Sequence, residues 1–332
     1  MKKSILLIYT GGTIGMIRTK NGSLIPFNFD NLKNQIPELE KFDVKLDHQS
    51  IKEPIDSSNM HPNVWIELAQ MIEDEYKKYD GFVILHGSDT MAYTASALSF
   101  MLKNLQKPIV FTGSQLPIGI ARTDAKENLI TSIEIASQNK TPEVCIYFEY
   151  KLFRANRATK INASNFEAFA SPNFPILAQA GVSIQYHSIN YEKTNEPLTV
   201  LKEINSEVLL IKLHPGVNQK MMEHMINQNV KAIVIESYGA GNVSEEKWFL
   251  SILEKCIEQQ KLVINITQCL VGSVSHGMYQ TSAHLDKIGV ISGSDLTTEA
   301  TITKLMVLLA QYQNMEEVKN RMQKSLCGEL SG

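Results

Sequence analysis

Ser4–Tyr9 is a short apolar run of Leu and Ile that stops at Thr10-Gly-Gly-Thr13, and no other stretch constrains the fold as strongly. A run this short, closed by glycine, predicts a fully buried strand of a parallel sheet. Open α/β sheets bind ligands beyond the carboxyl ends of their strands. Gly11 and Gly12 permit a sharp turn and a close approach of backbone to ligand. Thr13 then presents a hydroxyl at the mouth of the sheet, where a nucleophile would be useful. A phosphate cradle is the competing reading, and the spacing argues against it. The glycines fall at 11, 12 and 15, with Thr10 where a dinucleotide fingerprint needs its first glycine, and no Gly-Lys-Ser/Thr of a P-loop follows.

The same design repeats along the chain. Gly81–His86 is a second buried-strand pattern that breaks into Gly87-Ser-Asp-Thr90, and Pro108–Phe111 is a third, ending in Thr112-Gly-Ser-Gln115. Phe42–Leu46 alternates like a strand, Asp56–Met60 is a polar loop, and Pro62 opens a helix with Val64, Trp65, Leu68, Met71 and Ile72 on one face. Further helices are expected from Met91 to Leu102 and from near Asp124, and Glu143–Phe148 is the next strand. Strands alternating with helices predict βα units and a mainly parallel sheet flanked by helices. Three strands ending in glycine-plus-hydroxyl loops point to one shared crevice. Arg18–Ser23, polar and without apolar period, is a candidate lid beside it.

The chain of 332 residues is long enough for two α/β domains. The larger is expected over 1–186 and carries the site, a polar linker spans 187–206, and a smaller α/β domain spans 207–332. In the latter, Val208–Leu213, Ala232–Ser237 and Leu262–Thr267 read as strands, with helices around Lys220, Trp248 and Leu305. A formal net charge of −3 without a basic run gives no reason to expect nucleic acid or an anionic membrane as partner. Cys145, Cys256, Cys269 and Cys327 are scattered, form no C-x-x-C pair, and suit a reducing compartment. Met1-Lys-Lys precedes an apolar stretch too short for a signal peptide, and no stretch is long enough to span a bilayer. A cytoplasmic protein is expected.

A serine or threonine hydroxyl needs an activating base at neutral pH. His86, at a strand end beside Asp89, is one candidate, and Lys160, within Arg154-Ala-Asn-Arg-Ala-Thr-Lys160, is another. The residues alone do not choose between them. No H-E-x-x-H or His/Cys cluster suggests a metal.

The ordered set T-G-G-T-I-G, D-S-S-N-M, H-G-S-D-T-M, T-G-S-Q, A-N-R-A-T-K and T-Q-C resembles the bacterial L-asparaginase family, in its cytoplasmic type I branch, over nearly the whole chain. The resemblance implies hydrolysis of L-asparagine to L-aspartate and ammonia through a threonine acyl-enzyme, without a cofactor or metal. It also implies self-association as a homodimer or homotetramer, with Asn242 reaching a neighbouring site. Carried over by motif, Thr13 resembles the nucleophile, while Ser88, Asp89 and Lys160 form the hydroxyl–carboxylate–lysine group. Ser57 and Ser58 resemble the loop that holds the substrate carboxylate, Asp89 would bind the α-ammonium, and Ser114 matches a serine near the reacting amide.

Three departures stand out. Ser88 occupies a position where the family usually has threonine, which keeps the hydroxyl and drops the methyl that restricts χ1. Ser23 or Leu24 stands where the family carries a loop tyrosine. Thr159 and Cys269 match positions of a type I allosteric asparagine site, but Glu236 replaces an arginine that would grip the effector's carboxylate, so such regulation is expected to be weak or absent. Two alternatives accompany this reading. One is a non-catalytic asparagine or aspartate sensor on the same fold. The other is a glutamine-using amidotransferase subunit, disfavoured because relatives in that role carry an extra amino-terminal domain and this chain begins at its first strand.

Overall fold

The computed structural model describes residues 2–18, 24–26, 36–189, 191, 195–275 and 280–331. By internal contacts the chain forms two units. The first comprises Met1–Ser171 and Pro175–Lys202, and the second comprises Pro172–Phe174 and Glu203–Gly332.

The first unit is built on an eight-stranded sheet. Its elements in chain order are β1 (Lys3–Tyr9), β2 (Val44–Ser50), α1 (Pro62–Glu75), β3 (Gly81–Leu85), α2 (Met91–Met101), β4 (Ile109–Thr112), α3 (Ala125–Gln138), β5 (Val144–Phe148), β6 (Lys151–Arg154), β7 (Ala178–Gln179) and β8 (Gln185–Tyr186). The strand order is β8-β7-β6-β5-β4-β3-β1-β2. Pairing is parallel from β2 through β5 and antiparallel from β5 to β8. The parallel part therefore runs 2-1-3-4-5, an order whose direction of winding reverses between β1 and β3. Ile5–Ile8 and Phe82–Ile84 are fully or almost fully buried, as strands covered on both faces must be.

Local chemistry accounts for the boundaries. Pro62 takes the first turn of α1, where no intrahelical N–H is needed, and Val64, Trp65, Leu68, Ala69 and Ile72 form its buried face. Met71, expected on that face, is only partly covered. The strand expected at Phe42–Leu46 lies instead at Val44–Ser50, because a 3₁₀ turn over Pro37–Lys41 occupies the chain just before it. β5 and β6 form a hairpin whose two turn residues, Glu149 and Tyr150, both have positive φ (45° and 61°). That geometry favours Asn and Gly, so neither residue signals the turn. Within the stretch expected as a linker, Thr199–Val200 pairs with Leu102–Lys103 in the first unit. Residues 190 and 192–194 of that stretch lie outside the described residues.

The second unit holds a four-stranded parallel sheet in sequential order, β9 (Val208–Lys212), β10 (Ala232–Ser237), β11 (Leu262–Thr267) and β12 (Ile291–Ser292). Its helices are α4 (Gln219–Ile226), α5 (Lys247–Glu258), α6 (Gln280–Ile288), α7 (Thr298–Gln311) and α8 (Met315–Met322). The short β12 has no counterpart in the sequence reading, since two residues are too few to show a period. Lys304 on α7 and Glu329 in the carboxyl-terminal tail form an ion pair of 2.6 Å with both side chains 0% exposed. Lys304 also donates to the carbonyls of Met322 and Lys324, and Glu329 accepts from the N–H groups of Leu326 and Cys327. This fully satisfied cluster holds the tail to α7. Among the described residues, no helix is long and apolar enough to cross a membrane.

Candidate active site

The reversal between β1 and β3 places two loops side by side at the carboxyl ends of those strands, and sheet topology makes this the expected ligand crevice. Thr10 closes β1 by donating both its N–H and its hydroxyl to the Leu85 carbonyl, each at 3.0 Å. Its carbonyl accepts the N–H of Ile55 at 2.9 Å, which draws in the loop that carries Ser57 and Ser58. Gly11 and Gly12 have φ of 120° and 85°; a Cβ would collide with the Ile55 carbonyl at the first and with Gly87 at the second. Only glycine fits either position. Thr13 follows immediately and opens a single 3₁₀ turn, Thr13–Gly15, with its side chain half-buried.

The β3 loop supplies the groups that touch one another. Lys160 Nζ lies 2.6 Å from Asp89 Oδ1 and 2.8 Å from Ser88 Oγ. Lys160 reaches them from a short strand, Thr159–Lys160, paired with Phe169–Ala170 and preceded by a 3₁₀ turn whose Asn156 and Arg157 are buried. The lysine side chain is 18% exposed and the aspartate 63% exposed, so the pair sits at the surface of the crevice with the carboxylate facing outward.

The neighbouring loops bring in the remaining candidates. Ser57 is buried against Gly87, and its carbonyl accepts the Thr90 hydroxyl at 2.7 Å. Ser58 is more exposed; its N–H and its hydroxyl both donate to Asp56 Oδ1, at 2.8 and 2.7 Å. The two Ser58 bonds hold the Asp56 carboxyl below its ordinary range. Ser114 is buried and donates to the Leu116 carbonyl at 2.7 Å. Asp124, at the start of α3, accepts the N–H groups of Gln115 and Leu116 at 2.9 and 3.1 Å. Burial outweighs those bonds and pushes the Asp124 carboxyl up. The Gln115 side chain approaches Ser88 Oγ at 3.5 Å and donates to the Asn165 carbonyl at 2.9 Å. The T-G-S-Q motif marked this loop, but only tertiary contact singles out Gln115.

His86 does not take the role of base. Its ring is fully buried, with Nδ1 at 2.7 Å from the Gly87 carbonyl and Nε2 at 2.9 Å from Thr94 Oγ. A carbonyl can only accept, so Nδ1 carries the proton and Nε2 accepts from Thr94, which in turn accepts from Trp65 at 3.1 Å. Burial lowers the imidazole pKa to about 4. Asp89, three residues on, bonds to Lys160 instead.

Ser23 lies outside the described residues, as do residues 19–23 of the expected lid. Leu24 opens a short strand, Leu24–Pro26, paired with Met16–Arg18. Of the three allosteric candidates, Thr159 precedes Lys160 in the first unit, while Glu236 and Cys269 belong to the second. Glu236 lies 3.3 Å from Lys212 Nζ and accepts the Thr298 hydroxyl at 2.6 Å. Cys269 is exposed, and its N–H donates to Thr267 Oγ at 3.0 Å. No group of three or more His, Cys, Asp or Glu among the described residues is arranged to hold a metal ion.

The family model described as Asparaginase, N-terminal matches residues 4–192, and that described as Glutaminase/Asparaginase C-terminal domain matches residues 207–322. The chain is 41% identical over 339 residues to L-asparaginase 1 of Escherichia coli (strain K12), covering 99% of this chain and 98% of the relative. It is similar in structure to L-asparaginase I from Vibrio cholerae, with TM-score 0.93, 38% identity and 100% of both chains covered. The thermostable L-asparaginase from Thermococcus kodakarensis gives TM-score 0.93 at 31% identity, with 99% of each chain covered.

Proposed function

The chain belongs to the asparaginase family and is an L-asparaginase, and we propose that it hydrolyses L-asparagine through an acyl-enzyme formed on Thr13. The observation that carries the mechanism is Lys160 Nζ bridging Ser88 and Asp89, in the loop whose Gly87 packs against Gly12, the residue before Thr13.

In this reading the Thr13 hydroxyl adds to the side-chain carbonyl carbon of asparagine, and its proton passes to the departing amide nitrogen, which leaves as ammonia. Water then adds to the ester carbonyl, Thr13 Oγ departs with a proton, and aspartate is released. Acyl transfer of this kind needs a nucleophile, a route for protons and donors facing the developing oxyanion. Ser88 and Lys160 supply the proton route. Asp89 takes the substrate's α-ammonium on its solvent-facing side, since Lys160 holds Oδ1. Ser57 and Ser58 receive the α-carboxylate, which competes with Asp56 for the Ser58 donors. Ser114 lies on the neighbouring strand end that borders the amide.

Thr13→Ala is expected to abolish ammonia release from asparagine while leaving thermal unfolding unchanged, and acid-quenched wild-type enzyme should carry an aspartyl adduct on the Thr13 peptide. Near-full turnover by Thr13→Ala would refute the assignment. Self-association as a homodimer or homotetramer and a cytoplasmic location belong to the same proposal. Asn242, which closes a tight turn with Tyr238, is the residue assigned to such a contact, and sedimentation velocity distinguishes the states. Weak or absent allosteric control by asparagine follows from the Glu236 carboxylate.

A further inference from the structure

We infer that Gln115 is a positioning residue that holds the Ser88 hydroxyl in the one rotamer able to serve the reaction; this rests on the reading of Ser88 and Lys160 above. Serine carries no second substituent on Cβ, so its χ1 is free to sample three staggered wells. A β-methyl would remove part of that freedom. At position 88 the selection has to come from hydrogen bonding. Lys160 Nζ donates to Ser88 Oγ at 2.8 Å, and Ser88 Oγ then has its own proton to give; Gln115 Oε1 is the acceptor it faces, at 3.5 Å. Hydrogen bonds that serve catalysis are often long in free enzymes and tighten in the Michaelis complex.

The acceptor is itself fixed at both ends. The Gln115 amide nitrogen donates to the Asn165 carbonyl at 2.9 Å. Because a carbonyl can only accept, the amide cannot flip, and its oxygen must face Ser88. The Gln115 main-chain N–H is held by Asp124, whose other oxygen takes Leu116 N–H and whose neighbour Asn128 donates to the Gly113 carbonyl at 3.0 Å. The whole β4 loop is thus locked to α3, and a rigid loop presents a rigid acceptor. Ser88 is oriented from one side by a charge and from the other by an amide that has no freedom to turn.

The test is a double-mutant cycle between Gln115→Met, close in shape but without the acceptor, and Ser88→Thr. In the Ser88 background Gln115→Met is expected to lower kcat by about three- to tenfold, the range set by spreading Ser88 over three wells instead of one and by the loss of one hydrogen bond, with KM little changed. In the Ser88→Thr background the same change should lower kcat by less than about twofold, because the added methyl does the restricting. Equal losses in both backgrounds overturn the inference, as does a rise in KM with kcat intact. Gln115→Asn, which keeps the amide but shortens its reach, should behave as Gln115→Met and serves if the latter folds poorly. The parent reading fails separately: an active Thr13→Ala enzyme removes it, whereas an inactive Thr13→Ala with an uncoupled Gln115 removes only this one.

Discussion

Replacing Lys160 with Met removes an ammonium that reaches Asp89 at 2.6 Å and Ser88 at 2.8 Å, while keeping the aliphatic stem. The structure separates what this should do to the fold from what it should do to the chemistry. Asp89 is 63% exposed, so its carboxylate stays hydrated when its partner is lost. A pair of that kind contributes about 0–1 kcal/mol to stability, a shift of at most about 4 °C in a domain this size. Proton transfer by a positioned side chain contributes about 10²- to 10⁴-fold to rate, or roughly 3–5 kcal/mol at the transition state. The expected result is a coupled ammonia assay showing kcat down by two to four orders of magnitude beside an almost unchanged melting curve. A loss of activity below about tenfold would refute the proton route through Lys160. So would a melting shift large enough to explain the loss by unfolding.

The same substitution at Lys304 should do the reverse: it strands the Glu329 carboxylate at 0% exposure and costs about 3–5 kcal/mol of unfolding free energy, read by urea titration, with the kcat of folded enzyme unchanged. His86 makes stability depend on pH. Burial lowers its folded pKa from 6.5 to about 4, so its contribution is complete above pH 6.5 and fades as pH falls towards 4, roughly 3 kcal/mol in all. The His86-dependent slope should vanish in His86→Gln, and a persistent slope would assign it elsewhere. Asparagine saturation should be hyperbolic, because Glu236 offers an effector carboxylate another carboxylate; a sigmoidal curve would reverse that reading.

Much of the first unit was written in local pattern. Buried runs ended by glycine gave β1, β3 and β4, and Pro62 fixed the start of α1, because burial on both faces and proline's missing N–H leave traces in single segments. Turn chemistry was silent at Glu149-Tyr150, where two residues without the usual preference adopt positive φ under the pull of the paired strands.

The candidate site shows the division more sharply. Sequence determined which chemistry is present: a threonine after two glycines that nothing larger can replace, hydroxyls on loops and one lysine on a later segment. It could not choose between His86 and Lys160, since the nearness of Asp89 in sequence favours the histidine and nothing local betrays that its ring is buried. Nor could it reveal Gln115, whose partners lie on two other loops. Tertiary contact decided both: a separate two-stranded hairpin brings Lys160 onto Ser88 and Asp89, whereas His86 is enclosed behind the same loop. A side chain's environment is set by what folds against it, and in a parallel sheet those neighbours come from far along the chain.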